Sequence, residues 1–189
     1  HLVLGERQGL GKALLRAMSH ATLTLGAEII VQMDADLSHD PNKLPEFFKK
    51  IDNGADFVVG SRYIPGGSIP QNWGLHRKLF SIAGNSIVRF GLGFNFVHDW
   101  TGGYRVFKSN FFEAVKNEMS EFGGYIFMIA FLHKSILGGA KVEEVPIHFT
   151  DRIYGKSKII PSQYIKTVLL YIFKKRFYSL IHLLNGPCN

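Results

Sequence analysis

The stretch Ile29-Ile30-Val31-Gln32-Met33-Asp34-Ala35-Asp36-Leu37-Ser38-His39-Asp40-Pro41 decides the fold. Its first five residues are mostly β-branched or long and apolar, as in a buried strand, and two carboxylates sit one residue apart where that strand ends. Alternate side chains of a strand point the same way, so Asp34 and Asp36 can converge on one point. Two carboxylates held together repel, and a bound cation relieves the repulsion. Carboxylate oxygens suit a hard ion, Mg²⁺ or Mn²⁺, which commonly brings phosphate oxygens with it. The plain alternative is a solvated Asp-x-Asp turn. The buried strand before the pair and Asp40-Pro41 after it favour the ligand-binding reading.

On the N-terminal side, Leu2-Val3-Leu4 reads as the end of a strand, followed by a Gly5 to Gly11 loop. Leu10, Leu14, Met18, Ala21 and Leu25 recur at helical spacing, and Gly26 ends the run. On the C-terminal side, Pro41-Asn42 opens a helix with Leu44, Phe47, Phe48 and Ile51 on one side, and Phe57-Val58-Val59-Gly60 reads as another buried strand. Strand, helix, strand, helix, strand predicts parallel strands with covering helices, an α/β sandwich. In such sheets ligands sit beyond the C-terminal strand ends, which is where Asp34 and Asp36 fall.

Further along comes the turn-rich loop Gly60 to Ser68, then a helix from about Leu75 to Phe90 with Arg77 and Ser81 four residues apart on one face. Asp99-Trp100-Thr101-Gly102-Gly103-Tyr104-Arg105-Val106-Phe107 is a polar turn leading into a strand. Tyr125 to Leu137 reads as a buried helix, too short to span a bilayer. Val142 to Phe149 reads as a strand at or near a sheet edge, because Pro146 cannot donate to a ladder. Asp151 to Lys158 is a basic loop. From Pro161 a helical stripe of Ile165, Val168, Leu169 and Ile172 is interrupted by Lys174-Lys175-Arg176. Such a basic, aromatic-rich helix either lies in a membrane interface or packs on the domain.

The 189 residues are 46% apolar, enough for one domain with a substantial core. A net charge of +7 points to an anionic partner: nucleic acid, an anionic membrane or a diphosphate substrate. The single Cys188 excludes an intramolecular disulfide and a Cys-based zinc site, and suits a reducing, cytosolic setting. No signal peptide is visible, and the chain begins with His1, which suggests that an N-terminal piece is missing.

Four stretches in register carry a resemblance. Met33 to His39, Gly60-Ser61-Arg62-Tyr63, Asp99 to Arg105, and Glu144-Val145-Pro146-Ile147 with Asp151-Arg152 and Gly155-Lys156-Ser157-Lys158 together resemble the dolichyl-phosphate mannose synthases, within the family 2 glycosyltransferases. The resemblance covers about residues 5 to 160. It implies a GT-A fold: a mixed, mainly parallel, Rossmann-like α/β sheet with helices on both faces, here lacking its first strands. The catalytic domain would be residues 1–160, with 161–189 a basic, apolar helical segment that either lies in the membrane interface or packs on the domain.

The resemblance further implies inverting transfer of mannose from GDP-mannose to dolichyl (polyprenyl) phosphate in a membrane, with Mg²⁺ or Mn²⁺. Asp34 and Asp36 match the Asp-x-Asp that meets the metal and the donor diphosphate. Arg62, Arg77 and Ser81 look like the acceptor-phosphate group, and Arg152 and Lys158 fall where a loop closes over the donor diphosphate. Asp99 lies in the motif facing the reacting centre, so the catalytic set would be Asp36, Asp99 and Arg152. Some members of the family need small membrane-embedded subunits. The implied location is peripheral on the cytosolic face of the endoplasmic reticulum, or the cytoplasmic side of the plasma membrane in a prokaryote.

The chemistry suits those residue types. A phosphate monoester, with a second pKa of about 6, is largely a dianionic nucleophile at neutral pH, so no catalytic base is nominated. Positioning and charge stabilisation remain to be supplied, the first by Arg62 and Arg77, the second by the metal with Arg152 and Lys158. Taken singly, each arginine reads as a solvated surface charge. His39 reads as a hydrogen-bonded loop histidine rather than a metal ligand, Trp73 and Trp100 as packing residues, and Gly102-Gly103 as a tight turn.

The chain departs from the family in lacking the opening Pro-x-Tyr-Asn-Glu and Asp-Asp-x-Ser type motifs that contact the nucleotide. It also has Ser38 where some relatives place Gln near the metal, and Met128 and Ala130 where relatives carry polar residues. Competing readings are a polyprenyl-phosphate glucosyltransferase, a haloacid-dehalogenase-type phosphatase, and an inactive copy that binds only lipid phosphate or a partner. A nucleic-acid module is discounted, because the cations sit in separate loops around carboxylates rather than in a stripe with stacking aromatics.

Overall fold

The structure, a computed structural model, describes residues 2–151 and 161–184. Among them run α1 (Leu10–Leu23), β1 (Ile29–Gln32), α2 (Leu44–Asp52), β2 (Phe57–Ser61), α3 (Leu75–Leu92), β3 (Arg105–Lys108), α4 (Ser109–Met119), α5 (Ile126–Leu137), β4 (Val142–Pro146) and α6 (Pro161–Leu184). A 3-10 turn, Pro41–Lys43, leads into α2; the Asp40 carboxylate accepts the Asn42 N–H at 2.9 Å and Pro41 supplies a preset backbone angle.

The strand order is β1-β3-β2-β4. β3 runs antiparallel to both neighbours, and β2 pairs parallel with β4. Three of the four strands therefore share one direction, and the sheet is mixed. The adjacent parallel pairing of β1 and β2 expected from the strand-helix alternation does not occur, because β3 inserts between them. β3 is suited to that place: Phe107 belongs to the apolar cluster on one face of the sheet and Val106 to the cluster on the other. β2 is buried along its whole length for the same reason, with Phe57 and Val59 facing one cluster and Val58 the other. β4 lies at an edge and ends at Pro146, as its composition requires.

Leu2-Val3-Leu4 forms no strand; residues 2–9 have no regular structure and Leu2 and Leu4 are exposed. Apolar residues alone make no strand without a neighbouring ladder to satisfy the backbone. In α2, Phe47 and Ile51 are buried whereas Phe48 is partly exposed, since a two-turn helix turns only a narrow stripe to the sheet. α5 is buried on nearly every side, from Ile126 to His133 and again at Ser135, between the sheet and α4 and α6.

α6 continues through Lys174-Lys175-Arg176 without a break. Its Val168 and Tyr171 join the main apolar cluster, so one side of the helix is packed against the domain. Arg176 does not stand free: its Nε donates to the Gly91 carbonyl at 2.9 Å, tying α6 to the end of α3.

His133 Nδ1 lies 2.8 Å from the Tyr171 hydroxyl and joins α5 to α6. Burial, and then Lys175 and Lys134, lower the His133 pKa from 6.5 to about 4. The folded pKa is depressed, so its stabilising contribution is complete above pH 6.5 and is lost as pH falls towards about 4. Urea denaturation across that window should show falling stability in the native chain. The fall should be shallower in His133→Gln, whose amide keeps an acceptor for Tyr171 without a titrating group. Parallel curves for the two proteins would contradict the role of His133.

Candidate active site

Beyond the C-terminal ends of β1, β2 and β4 opens a cavity of about 540 Å³. Residues that follow β1 (Asp34, Asp36, His39), β2 (Arg62) and β4 (Ile147, Phe149) line it, together with Arg77, Phe80 and Ser81 of α3 and the Thr101-Gly102-Gly103 turn before β3. This is the strand end at which parallel α/β sheets bind ligands. A second cavity of about 860 Å³, beside residues 3–16 and 123–126, shares Leu10, Tyr125 and Tyr164 with the first.

The Asp-x-Asp turn is held by its own neighbours. Asp36 Oδ1 accepts the Ser38 N–H at 3.1 Å and the Ser38 hydroxyl at 2.6 Å. Leu37 between them has φ 64°, a left-handed conformation that costs a side-chain-bearing residue about 1 kcal/mol. The backbone N–H of Asp34 donates to His39 Nδ1 at 3.0 Å. His39 is buried and stacks on Tyr104, with ring centroids 5.0 Å apart. Burial lowers its pKa against the opposing pull of Asp34 and Asp36. A neutral ring with Nδ1 as acceptor follows, so His39 clips the turn through its Nδ1. Ser38 engages Asp36.

The pair fits a hard divalent ion. Asp34 and Asp36 line the same cavity, yet no group of three or more His, Cys, Asp or Glu among the described residues is arranged to hold a metal. Two carboxylates with the remaining positions open match an ion that completes its shell with water and substrate phosphate oxygens.

Asp99 is not presented to the cavity. It is fully buried, and its carboxylate forms a fork-to-fork pair with Arg62: Nε to Oδ2 at 2.7 Å and Nη2 to Oδ1 at 2.8 Å. The Arg62 backbone N–H adds a third bond to Oδ2 at 3.1 Å, and the Gly102 N–H reaches Oδ1 at 3.0 Å. Burial alone would raise Asp99, but the charge and hydrogen bonds of Arg62 hold it below the usual carboxylate range. Burial would likewise lower Arg62, and Asp99 more than reverses that. At Gly102 a Cβ would come within 3.2 Å of the Gly60 carbonyl and 3.3 Å of Asp99 Oδ1, so glycine allows the turn to close on the carboxylate.

A second carboxylate supports the first. Glu144 of β4 accepts the backbone N–H groups of His98 and Asp99, each at 3.0 Å, and its other oxygen lies 2.6 Å from His98 Nδ1. Arg105, also fully buried, donates to the carbonyls of Trp100, Gly102 and Met128. Burial lowers it to about 10, so it stays charged at neutral pH and pins the turn from below.

Arg77 stacks over Trp73 at 3.8 Å and pairs with Asp151 at 3.3 Å, where the Trp73 indole N–H also donates. Ser81 Oγ lies 2.6 Å from the Tyr63 hydroxyl. Asp34, Asp36, Arg62, Arg77 and Ser81 are thus brought to one cavity, and Asp99 is placed behind it; Arg152 and Lys158 lie outside the described residues. Tyr63, Thr101 and Glu144 stand in the motifs quoted above without a role of their own, and Asn85 stands outside them. Asn85 carried a signal, a polar residue four positions after Ser81 on the same helix face.

The family model described as glycosyl transferase family 2 matches residues 1–136. The chain is similar to the polyprenol monophosphomannose synthase of Mycolicibacterium smegmatis, 39% identical over 154 residues, 82% of this chain and 57% of that protein. It is 37% identical to the undecaprenyl-phosphate mannosyltransferase of Micrococcus luteus, over 81% of this chain and 61% of that protein. It therefore spans about three-fifths of the length of these relatives. Among solved structures, a mycobacterial protein superposes with a TM-score of 0.60 at 18% identity, over 89% of this chain and 53% of that one. Glucosyl-3-phosphoglycerate synthase from Mycobacterium tuberculosis with Mn²⁺ and UDP-glucose superposes with a TM-score of 0.57 at 17% identity, over 89% and 56%. At these identities the likeness extends to the fold, and the GT-A type α/β architecture is the one expected from the sequence. With the Asp-x-Asp turn at the strand ends and the family model spanning most of its length, the chain belongs to glycosyl transferase family 2.

Proposed function

We propose that this chain carries the metal and acceptor side of a polyprenyl-phosphate mannosyltransferase that moves mannose from GDP-mannose with inversion. One observation carries the reading: the carboxylates Asp34 and Asp36 share a single cavity with Arg62, Arg77 and Ser81, beside apolar side chains such as Phe80, Ile147 and Phe149. A phosphate on an isoprenoid tail suits that mixture of cationic and apolar walls, and the names of the two relatives favour mannose over glucose.

Each side chain has a task. Arg62, its fork already set by Asp99, and Arg77, steadied on Trp73, orient the acceptor phosphate, which as a dianion attacks without a base. Ser81 adds a neutral donor. Asp34 and Asp36 hold Mg²⁺ or Mn²⁺, which when bound supplies Lewis-acid stabilisation of the departing diphosphate. Arg152 and Lys158 are assigned to the same diphosphate. Asp99 acts through Arg62 as a positioning residue.

The reading also places the protein peripherally on the cytosolic side of a membrane. No helix among the described residues is long and apolar enough to cross one. α3 exposes Leu75, Leu79 and Ile82 at helical spacing, and α6 exposes Ile165, Leu169 and Phe173. α3 carries three Lys or Arg and α6 four, and neither has a single carboxylate. Anionic lipid attracts such a surface at about 1 kcal/mol per cation. Because Arg176 is committed to α3, the informative cations are Lys166 and Lys174, both exposed. Their joint replacement by Gln should weaken binding to phosphatidylserine vesicles several-fold in flotation assays. Undiminished binding would show that α6 only packs on the domain.

Transfer is tested by incubating the chain, extended at its N-terminus by a segment that carries the nucleotide-contacting motifs it lacks, with polyprenyl phosphate, Mg²⁺ and labelled GDP-mannose or UDP-glucose in parallel. Lipid-phase label from GDP-mannose that EDTA removes is the expected result. Label from UDP-glucose alone would reassign the sugar, and label from neither would leave a binding copy without turnover.

A further inference from the structure

We propose that Thr101 is a further ligand of the acceptor phosphate, donating its hydroxyl hydrogen to a phosphate oxygen. The proposal rests on the acceptor reading above. Thr101 lines the cavity with Arg62, Arg77 and Ser81, and its Oγ accepts two hydrogen bonds, from Arg62 Nη2 at 2.9 Å and Asn85 Nδ2 at 3.1 Å.

Chemistry fixes the direction of both bonds. A guanidinium only donates. The Asn85 amide cannot be turned over, because its Oδ1 accepts the Trp100 backbone N–H at 2.8 Å while Nδ2 also donates to the Ser81 carbonyl at 3.1 Å. With both lone pairs of Oγ engaged, the Thr101 hydrogen must point to a third atom.

The only acceptor for it among the described residues is Asp99 Oδ1 at 3.5 Å, the outer limit of a hydrogen bond. That oxygen already receives Arg62 Nη2 at 2.8 Å, the Gly102 N–H at 3.0 Å and the Thr101 N–H at 3.3 Å. Donation from Arg62 and Asn85 into Oγ also polarises the O–H and makes it a stronger donor. A hydroxyl hydrogen with a poor partner, at the wall of a cavity lined by two arginines, is matched by an anionic oxygen. The cavity carboxylates, Asp34 and Asp36, belong to the turn after β1 rather than to this wall.

The test titrates the chain with farnesyl phosphate, a short isoprenyl monophosphate. Thr101→Val, which keeps shape and removes the hydroxyl, should bind at least about tenfold more weakly, as expected for a lost hydrogen bond to a charged group. Thr101→Ser should stay within about threefold of the native chain. The NMR signal of the Arg62 Nε–H, which reports its bond to Asp99, should be unmoved in unliganded Thr101→Val. If the valine variant does not fold, Thr101→Ala carries the same expectations.

Unchanged affinity on loss of the hydroxyl, or a serine variant as weak as the valine one, would overturn the proposal. So would a shifted Arg62 signal without ligand, which would reduce Thr101 to holding Arg62 in place. Failure of the native chain itself to bind farnesyl phosphate would instead overturn the acceptor reading.

Discussion

Asp99→Ala is expected to cost roughly 3–5 kcal/mol of stability, the usual consequence of leaving a buried charge without its partner. Arg62 gives two side-chain bonds and one backbone bond to that carboxylate, and both side chains are almost wholly enclosed. A loss of that size is a large part of the stability of an ordinary domain. Removing the guanidinium as well, in Asp99→Ala with Arg62→Leu, should recover a good part of it, because no uncompensated charge then remains. Urea denaturation of the two single variants and the double variant measures the coupling directly. If the double variant is as unstable as the sum of the singles, Asp99 and Arg62 do not act as a pair. The functional consequence would then change too, since Asp99 would reach the cavity through the Thr101-Gly102 turn, whose N–H groups it also accepts, rather than through Arg62.

Asp36→Asn is the other large effect. The asparagine oxygen can still accept from the Ser38 N–H and hydroxyl, so the turn around the left-handed Leu37 should survive. Stability should therefore stay within about 0.5 kcal/mol of native. What is lost is one of two charges facing a divalent ion. Lewis-acid stabilisation of several kcal/mol depends on that ion, so transfer should fall by on the order of 10³-fold. Mn²⁺ titration followed by electron paramagnetic resonance checks the binding half separately. Native Mn²⁺ affinity in the asparagine variant would remove Asp36 from the metal site.

The parts of the site legible in the sequence were those set by local geometry. The apolar run Ile29 to Met33 announces the strand that delivers Asp34 and Asp36, and the spacing of Arg77 and Ser81 on α3 places both at one wall. What the sequence hid was long-range. Arg62 and Asp99 are 37 residues apart, and nothing in either segment says that the guanidinium meets a carboxylate rather than solvent. Glu144 supports the same turn from 45 residues further on. The reversal of β3 was hidden for another reason: Val106 and Phe107 are buried on opposite faces, so the strand lacks the alternation that would tell direction or neighbours. His39 was read correctly as hydrogen-bonded, but only the folded turn shows that its partner is the backbone of Asp34.

The central claim is that metal and acceptor phosphate meet in one cavity. ³¹P NMR of farnesyl phosphate bound to the chain, with Mn²⁺ added, tests it most directly. The expected result is strong broadening of the phosphate signal in the native chain, abolished in Asp36→Asn although the phosphate still binds. A bound phosphate whose signal Mn²⁺ leaves sharp would put the two ligands in separate places and contradict the claim.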